Sequence, residues 1–170
     1  MDAGFELVIS DGELQNFAAL NRIKVIQMVA EAGTAHLASA LSCVDILTVL
    51  YSSTLNISSC EDLTRDRLIL SKGHAAPALY AAMESVGLLT SKEIATFGLR
   101  DSYLEEHPSP FLKGVEAASG ALGHGLPIGC GIAISSKIKN FGNHVFVVVG
   151  DGECNEGSVW EAATFASSNK

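Results

Sequence analysis

The stretch VFVVVGDGECNEG, Val145 to Gly157, has the residue types of a phosphate site with one intrusion. Five apolar residues run into Gly150-Asp151-Gly152, the pattern of a buried strand feeding a glycine turn. Backbone N–H groups in such a turn attract phosphate because they present the positive end of the peptide dipole. A bare carboxylate at Asp151 would cancel that attraction. A divalent cation between carboxylate and phosphate removes the conflict, and Mg2+ commonly takes one or two carboxylates plus substrate phosphates. Asp151 therefore reads in one of two ways. It is a metal ligand for a diphosphate, or it caps the following helix and the glycines serve only the turn. Dinucleotide binding is excluded by spacing, because it needs Gly-x-Gly-x-x-Gly and the glycines fall at Gly150, Gly152 and Gly157. Gly123, Gly125 and Gly129 miss that pattern too and follow no strand. A P-loop is excluded for want of Gly-Lys-Ser/Thr.

The elements that must position this turn alternate between helix and short strand. SDGELQNFAALNRIKVIQMVAEAG reads as a long amphipathic helix capped by Ser10 or Asp11. Leu14, Phe17, Ile23, Ile26 and Val29 supply its apolar spacing and Gly33 ends it. SALSCVDILTVLYSSTLN predicts a second helix with Leu41, Val44, Leu47 and Leu50 on one face. RDRLILSKGH gives a strand over Leu68 to Leu70 and a turn at Gly73. APALYAAMESVGLL is helical with Pro77 in its first turn, and TSKEIATFG is a short capped helix. Leu99 to Glu116 reads as loop, a length that is usually functional or mobile. GALGHGLPIGCGIAISSKI is glycine-rich, then helical. HVFVVVG is a buried strand and GSVWEAATFASSNK a final helix, with Trp160 and Phe165 expected in the core and Lys137 and Lys139 at a solvated helix end. The alternation predicts an α/β fold with a parallel sheet flanked by helices on both faces. The few strands, and an open sheet edge that would need cover, predict a sheet that is incomplete at the carboxyl terminus.

Composition bounds the partners. The 170 residues suffice for one domain with a core, and 48% hydrophobic against 18% charged residues describes a globular unit. A net charge of -8, from 19 acids and 11 bases, argues against nucleic acid or an anionic membrane surface as partner. Cys43, Cys60, Cys130 and Cys154 have neither zinc nor Cys-x-x-Cys spacing and read as free thiols in a reducing cytoplasm. MDAGFELVIS lacks the basic start and apolar run of a signal peptide, and no stretch is long enough to span a bilayer.

GDGECNEGSVWEAATFASSNK resembles the thiamine-diphosphate motif of the transketolase family. That motif begins Gly-Asp-Gly and ends some thirty residues on with an Asn, the second side-chain ligand of Mg2+. AHLASALSCVDILTVLY resembles the family's first histidine segment and DRLILSKGHAAPALYAAM its second. EEHPSP with GVEAASGALGHGLPIGCGIAIS resembles the third histidine and the glycine segment lining the cofactor. Four ordered motifs cover nearly the whole chain, in a pattern most like the small subunit of split transketolases.

The resemblance implies a single diphosphate-binding domain over residues 1–170, a fragment or subunit without the pyrimidine-binding domain. It implies thiamine diphosphate and Mg2+ (or Ca2+ or Mn2+ in its place), with Asp151 on the metal and the Gly152 backbone at the diphosphate. His74 would donate to the diphosphate, and Gly120, Ala121 and Leu122 would pass beside the aminopyrimidine. His36 and His107 would face the substrate and assist proton transfers. Glu156 would lie near the dimer interface, and Glu153 would be a solvated or helix-N-terminal acid. His124 stands where the family usually has Gln; it and His144 match no family histidine and read as structural.

The implied reaction is transfer of a two-carbon ketol unit from a ketose phosphate to an aldose phosphate, with the cofactor supplying the carbanion. The implied partners are sugar phosphates and a pyrimidine-domain chain, in a homodimer or an α2β2 heterotetramer in the cytoplasm. An inert assembly module is the alternative from another class. A 1-deoxyxylulose-5-phosphate synthase-type enzyme shares Gly-Asp-Gly, but ECNEG and SKGHAAPALY look like transketolase. Two departures stand out. Ala35 and Ala38 replace glycines around His36, which narrows the space beside it. The chain also ends at Lys170, before the motif's Asn, so the ligand set is expected to be completed by further sequence.

Overall fold

The structure, a computed structural model, describes residues 9–169. The stretch read as lacking a signal peptide falls outside these residues except for Ile9 and Ser10. Helix α1 spans Asp11–Ala32. Ser10 caps it through a reciprocal box in which the Ser10 side chain accepts from Glu13 N–H and the Glu13 carboxylate accepts from Ser10 N–H. Gly33 ends it at φ 64°, a left-handed C-cap that suits glycine.

The face α1 buries differs from the expected one. Ala18, Asn21, Val25, Met28 and Val29 point inward, while Ile23 and Ile26 are 53% and 46% exposed. The physical reason is phase. The step from Phe17 to Ile23 turns a helix by roughly 240°, so the two groups cannot share a face.

The expected second helix is broken into α2 (Leu37–Leu41), α3 (Val44–Val49) and a wider turn over Leu50–Thr54. Val44 and Leu47 are buried, and Leu41 and Leu50 pack against the core from its edge. Strand β1 is Arg67–Leu70 and helix α4 is Ala76–Ser85. Helix α4 is apolar nearly all round, and Ala76 through Met83 are buried, as expected of a central helix. The short α5 (Ser91–Ile94) carries its own Thr90/Glu93 capping box. Turns and bends fill the stretch from Leu99 to Glu116, as expected. Helix α6 is Gly125–Lys139, β2 is Val145–Val148 and α7 is Gly157–Ser168.

Strands β1 and β2 pair in parallel, Arg67 with Val145 through Leu70 with Val148. Alternation sends Leu68, Leu70 and Val148 into the core formed with α1, α3 and α4. The opposite face carries Ile69, Val145 and Val147, and α6 lies on it with Gly129 against the Val147 methyl. Helices therefore cover both faces, as expected for this α/β class.

Two expectations about burial fail at the carboxyl-terminal side. Val145 to Val147 are only partly buried, because β2 has β1 as its one strand neighbour among the described residues. Helix α7 packs on α6 through Val159 and Ala162, which leaves Trp160 66% and Phe165 46% exposed rather than in the core. Lys137 and Lys139 lie in the exposed last turn of α6, as expected. The four cysteines are free. Among the described residues no helix is long and apolar enough to cross a membrane.

Candidate functional site

Parallel pairing puts the carboxyl ends of β1 and β2 at one edge of the sheet, where α/β proteins bind ligands. Three segments meet there. The first leaves β1 through Ser71, Lys72, Gly73 and His74. The second is the glycine segment from Gly120 to Gly125. The third leaves β2 through Gly150, Asp151 and Gly152, then makes a tight turn to Asn155 before α7.

A buried carboxylate joins all three. Glu153 is 2% exposed, and its Oε1 accepts from Ser71 Oγ at 2.5 Å and from Gly123 N–H at 2.8 Å. Its Oε2 accepts from Gly150 N–H at 2.9 Å. Ser71 Oγ in turn accepts from Gly125 N–H at 3.1 Å. Glu153 was expected to be a solvated or helix-N-terminal acid; it does stand in the first turn of the short helical turn Gly152–Asn155, but it is buried rather than solvated, because three donors aim at it from three loops. Little in the sequence announced this. The one signal is a crowd of glycines at positions that must approach one another closely.

The glycines are needed where the segments touch. A methyl on Gly125 would stand 2.3 Å from Ser71 Oγ, and one on Gly73 would stand 2.5 Å from the Ser119 backbone carbon. Gly120 adopts φ +143°, and a methyl there would stand 2.7 Å from the His107 ring. Ser158 Oγ donates to Gly123 O at 2.7 Å, and the Glu156 stem lies beside the same glycine.

Histidines gather next to this crossing. The His36 and His74 rings lie 5.1 Å apart between centroids. His107 packs on Gly120, close enough that its charge acts on His74. Burial first, then the like charges of His36, Lys72 and His107, holds His74 below the ordinary histidine value, with Glu153 opposing. His36 and His107 are exposed, and His36 sits at φ 66°, a left-handed position uncommon for a side-chain-bearing residue. Lys72, buried, donates to Ser39 O at 3.1 Å and Ser42 Oγ at 3.0 Å, which ties α2 and its His36 to the β1 turn. Lys72 and Ser71 carry no motif signal beyond the SKGH segment. His124 starts α6 with its ring near Ala121 O and Leu122 O at 3.2 Å, and exposed His144 lies at the far end of β2, both apart from the histidine group.

Asp151 is exposed and, among the described residues, its carboxylate accepts no hydrogen bond and caps no helix. A methyl on Gly152 would meet nothing within 4 Å, so that backbone is open to a ligand. In the glycine segment Ala121 and Leu122 are exposed and Gly120 is half-buried. Glu156 is exposed at the N-cap position of α7. Among the described residues no three His, Cys, Asp or Glu side chains gather to hold a metal. One free carboxylate beside open backbone suits a hard cation shared with phosphate oxygens.

The family described as transketolase, thiamine diphosphate binding domain, matches residues 14–170. The chain is 37% identical over 145 residues to one of the subunits of the apulose-4-phosphate transketolase of Phocaeicola vulgatus, covering 84% of this chain and 52% of that protein. It is 40% identical over 157 residues to human transketolase, covering 91% of this chain and 25% of that protein. The structure superposes on Campylobacter jejuni transketolase with a TM-score of 0.87 at 30% identity, over 95% of this chain and 27% of the other. The chain thus spans about half the length of the first relative and a quarter of the second. With a family model matching residues 14–170 and the same fold in a structure at 30% identity, the chain belongs to the transketolase family and matches its thiamine diphosphate binding domain.

Proposed function

We propose that this chain is the diphosphate-binding portion of a transketolase that depends on thiamine diphosphate and Mg2+ and moves a two-carbon ketol unit from a ketose phosphate to an aldose phosphate. The observation that carries this reading is the free Asp151 carboxylate beside the open Gly152 backbone, at the sheet edge that also bears His74. Asp151 holds the cation, with Ca2+ or Mn2+ able to use the same oxygen donors. The Gly152 backbone and His74 receive the diphosphate. A neutral imidazole keeps one N–H to donate, and the lowered proton affinity of His74 favours that form. Gly120, Ala121 and Leu122 line the cleft beside the aminopyrimidine. Bound thiamine diphosphate supplies the carbanion chemistry at the ketose carbonyl. The exposed His36 and His107 rings hydrogen-bond sugar hydroxyls and carry protons.

The pyrimidine-binding domain comes from further chain or a separate subunit, a view supported by the Phocaeicola vulgatus relative, whose name describes it as one subunit of a transketolase. Glu156 faces that assembly, a homodimer or α2β2 heterotetramer in the cytoplasm. The net charge of -8 leaves sugar phosphates, not nucleic acid, as partners of a cation-bearing site.

Calorimetric titration of the protein, completed by its pyrimidine-binding partner, with thiamine diphosphate and Mg2+ tests this. Asp151→Asn should weaken binding about tenfold or more, since even outer-shell partners of a metal cost that much. Equal binding by the variant removes the metal assignment. A complex that assembles normally and transfers no ketol unit makes the chain an assembly module instead.

A further inference from the structure

We infer that Glu153 is a positioning residue that holds the three loops of the cofactor cleft in register, so that affinity for thiamine diphosphate depends on it. The inference rests on the function proposed above. Each donor to Glu153 is the neighbour of a group assigned to the ligand. Ser71 starts the turn that carries His74, Gly123 follows Gly120-Ala121-Leu122, and Gly150 precedes Asp151. The carboxylate itself is 2% exposed and spends both oxygens on the crossing, so it acts through these neighbours and not on the ligand.

The geometry calls for two acceptor oxygens at this position. Three donors converge on two oxygens, and Ser71 Oγ uses its proton on Glu153 while receiving Gly125 N–H. An amide at this position has one oxygen, and its NH2 would face either Gly123 N–H or Gly150 N–H, donor against donor. Leaving a buried donor unmatched costs about tenfold to 100-fold in an equilibrium that needs it paired. Because the donors sit on separate loops, the loss shows as relative movement of those loops and not as unfolding of one element. Gly123 and Gly125 leave no room for compensation, since any methyl there would overlap Ser158 or Ser71.

The test uses the completed protein with Glu153→Gln, Ser71→Ala and the double variant. Hydrogen exchange by mass spectrometry is read in the absence of ligand on peptides covering residues 71–76, 120–125 and 150–157. Thiamine diphosphate affinity is read by calorimetry at saturating Mg2+. Glu153→Gln should speed exchange about tenfold in all three peptides, leave peptides from α1 and α4 unchanged, and weaken the cofactor about tenfold or more. Ser71→Ala should have a smaller effect, and the double variant should fall short of the sum, because both act through one network. Uniform exchange changes across the domain, or unchanged cofactor affinity in Glu153→Gln, would overturn the inference. If the wild-type protein binds no thiamine diphosphate, the function proposed above fails, and the exchange pattern alone then decides whether Glu153 holds the loops.

Discussion

Gly73→Ala should damage both stability and the site, and the structure sets the scale. The added methyl would stand 2.5 Å from the Ser119 backbone carbon and 2.6 Å from its carbonyl oxygen. Favourable carbon contacts begin near 3.5 Å, so the gap is short by roughly 1 Å. The obstacle is backbone, which cannot rotate aside as the Ser119 hydroxyl could. Either the turn carrying His74 or the segment carrying Gly120 must move. Overpacking of this kind costs about 1–3 kcal/mol, or a fall in Tm of roughly 2–12 °C for a domain of this size. A displacement near 1 Å at groups that orient a reaction costs on the order of 100-fold in rate. We therefore expect lower Tm by circular dichroism and a loss of ketol transfer of roughly 10- to 100-fold in the completed protein. Gly12→Ala is the control, because nothing lies within 4 Å of a methyl at the start of α1. Its Tm should stay within about 1 °C of wild type. If Gly73→Ala matches Gly12→Ala in both measurements, the close approach of the two segments is not what the site requires.

Glu116, whose side chain is 9% exposed, accepts from Arg65 at 2.5 Å and Arg67 at 3.0 Å, which fastens the end of the long loop to the start of β1. Glu116→Ala should cost about 3–5 kcal/mol in urea unfolding, since it strands buried cationic groups; a loss under about 1 kcal/mol would mean that water replaces the carboxylate. The lowered His74 value has a signed consequence. The folded protein protonates His74 less readily than the unfolded chain does. Its contribution to stability is therefore complete above the unfolded value of about 6.5 and is lost as pH falls through the lowered folded value. His36→Asn removes one cationic neighbour, so the His74 midpoint in an NMR titration should move up; an unmoved midpoint would contradict the contact.

Local rules in the sequence read well where one residue decides the outcome. The Ser10 and Thr90 boxes, the Gly33 stop and Pro77 in the first turn of α4 all lie where backbone chemistry demands them. The Gly-Asp-Gly turn and the histidine segments were legible as motifs. What failed depended on neighbours distant in sequence. Ile23 and Ile26 satisfy helical spacing with each other, yet the face that α1 buries runs through Ala18, Asn21, Val25 and Met28. Trp160 and Phe165 look like core by size, yet only Val159 and Ala162 of α7 are buried among the described residues. Glu153 could be understood only once Ser71, Gly123 and Gly150 were brought together, and no spacing rule predicts a carboxylate buried by three loops.

The Glu153 network also has a history in time. Its hydrogen bond to Ser71 joins residues 82 apart, and every rung between β1 and β2 spans a similar stretch. Contacts this distant form late, because closing the loop must precede any reward from it. On a ribosome adding about 5–20 residues per second, Ser71 waits roughly 4–16 s for its partner to be synthesised. During that interval α1, α3 and α4 can already pack, while the apolar edge of β1 stands unpaired. The crossing that bears the proposed cofactor site thus closes late in folding, and the nascent chain carries β1 unpaired with β2 until Val145–Val148 has been made.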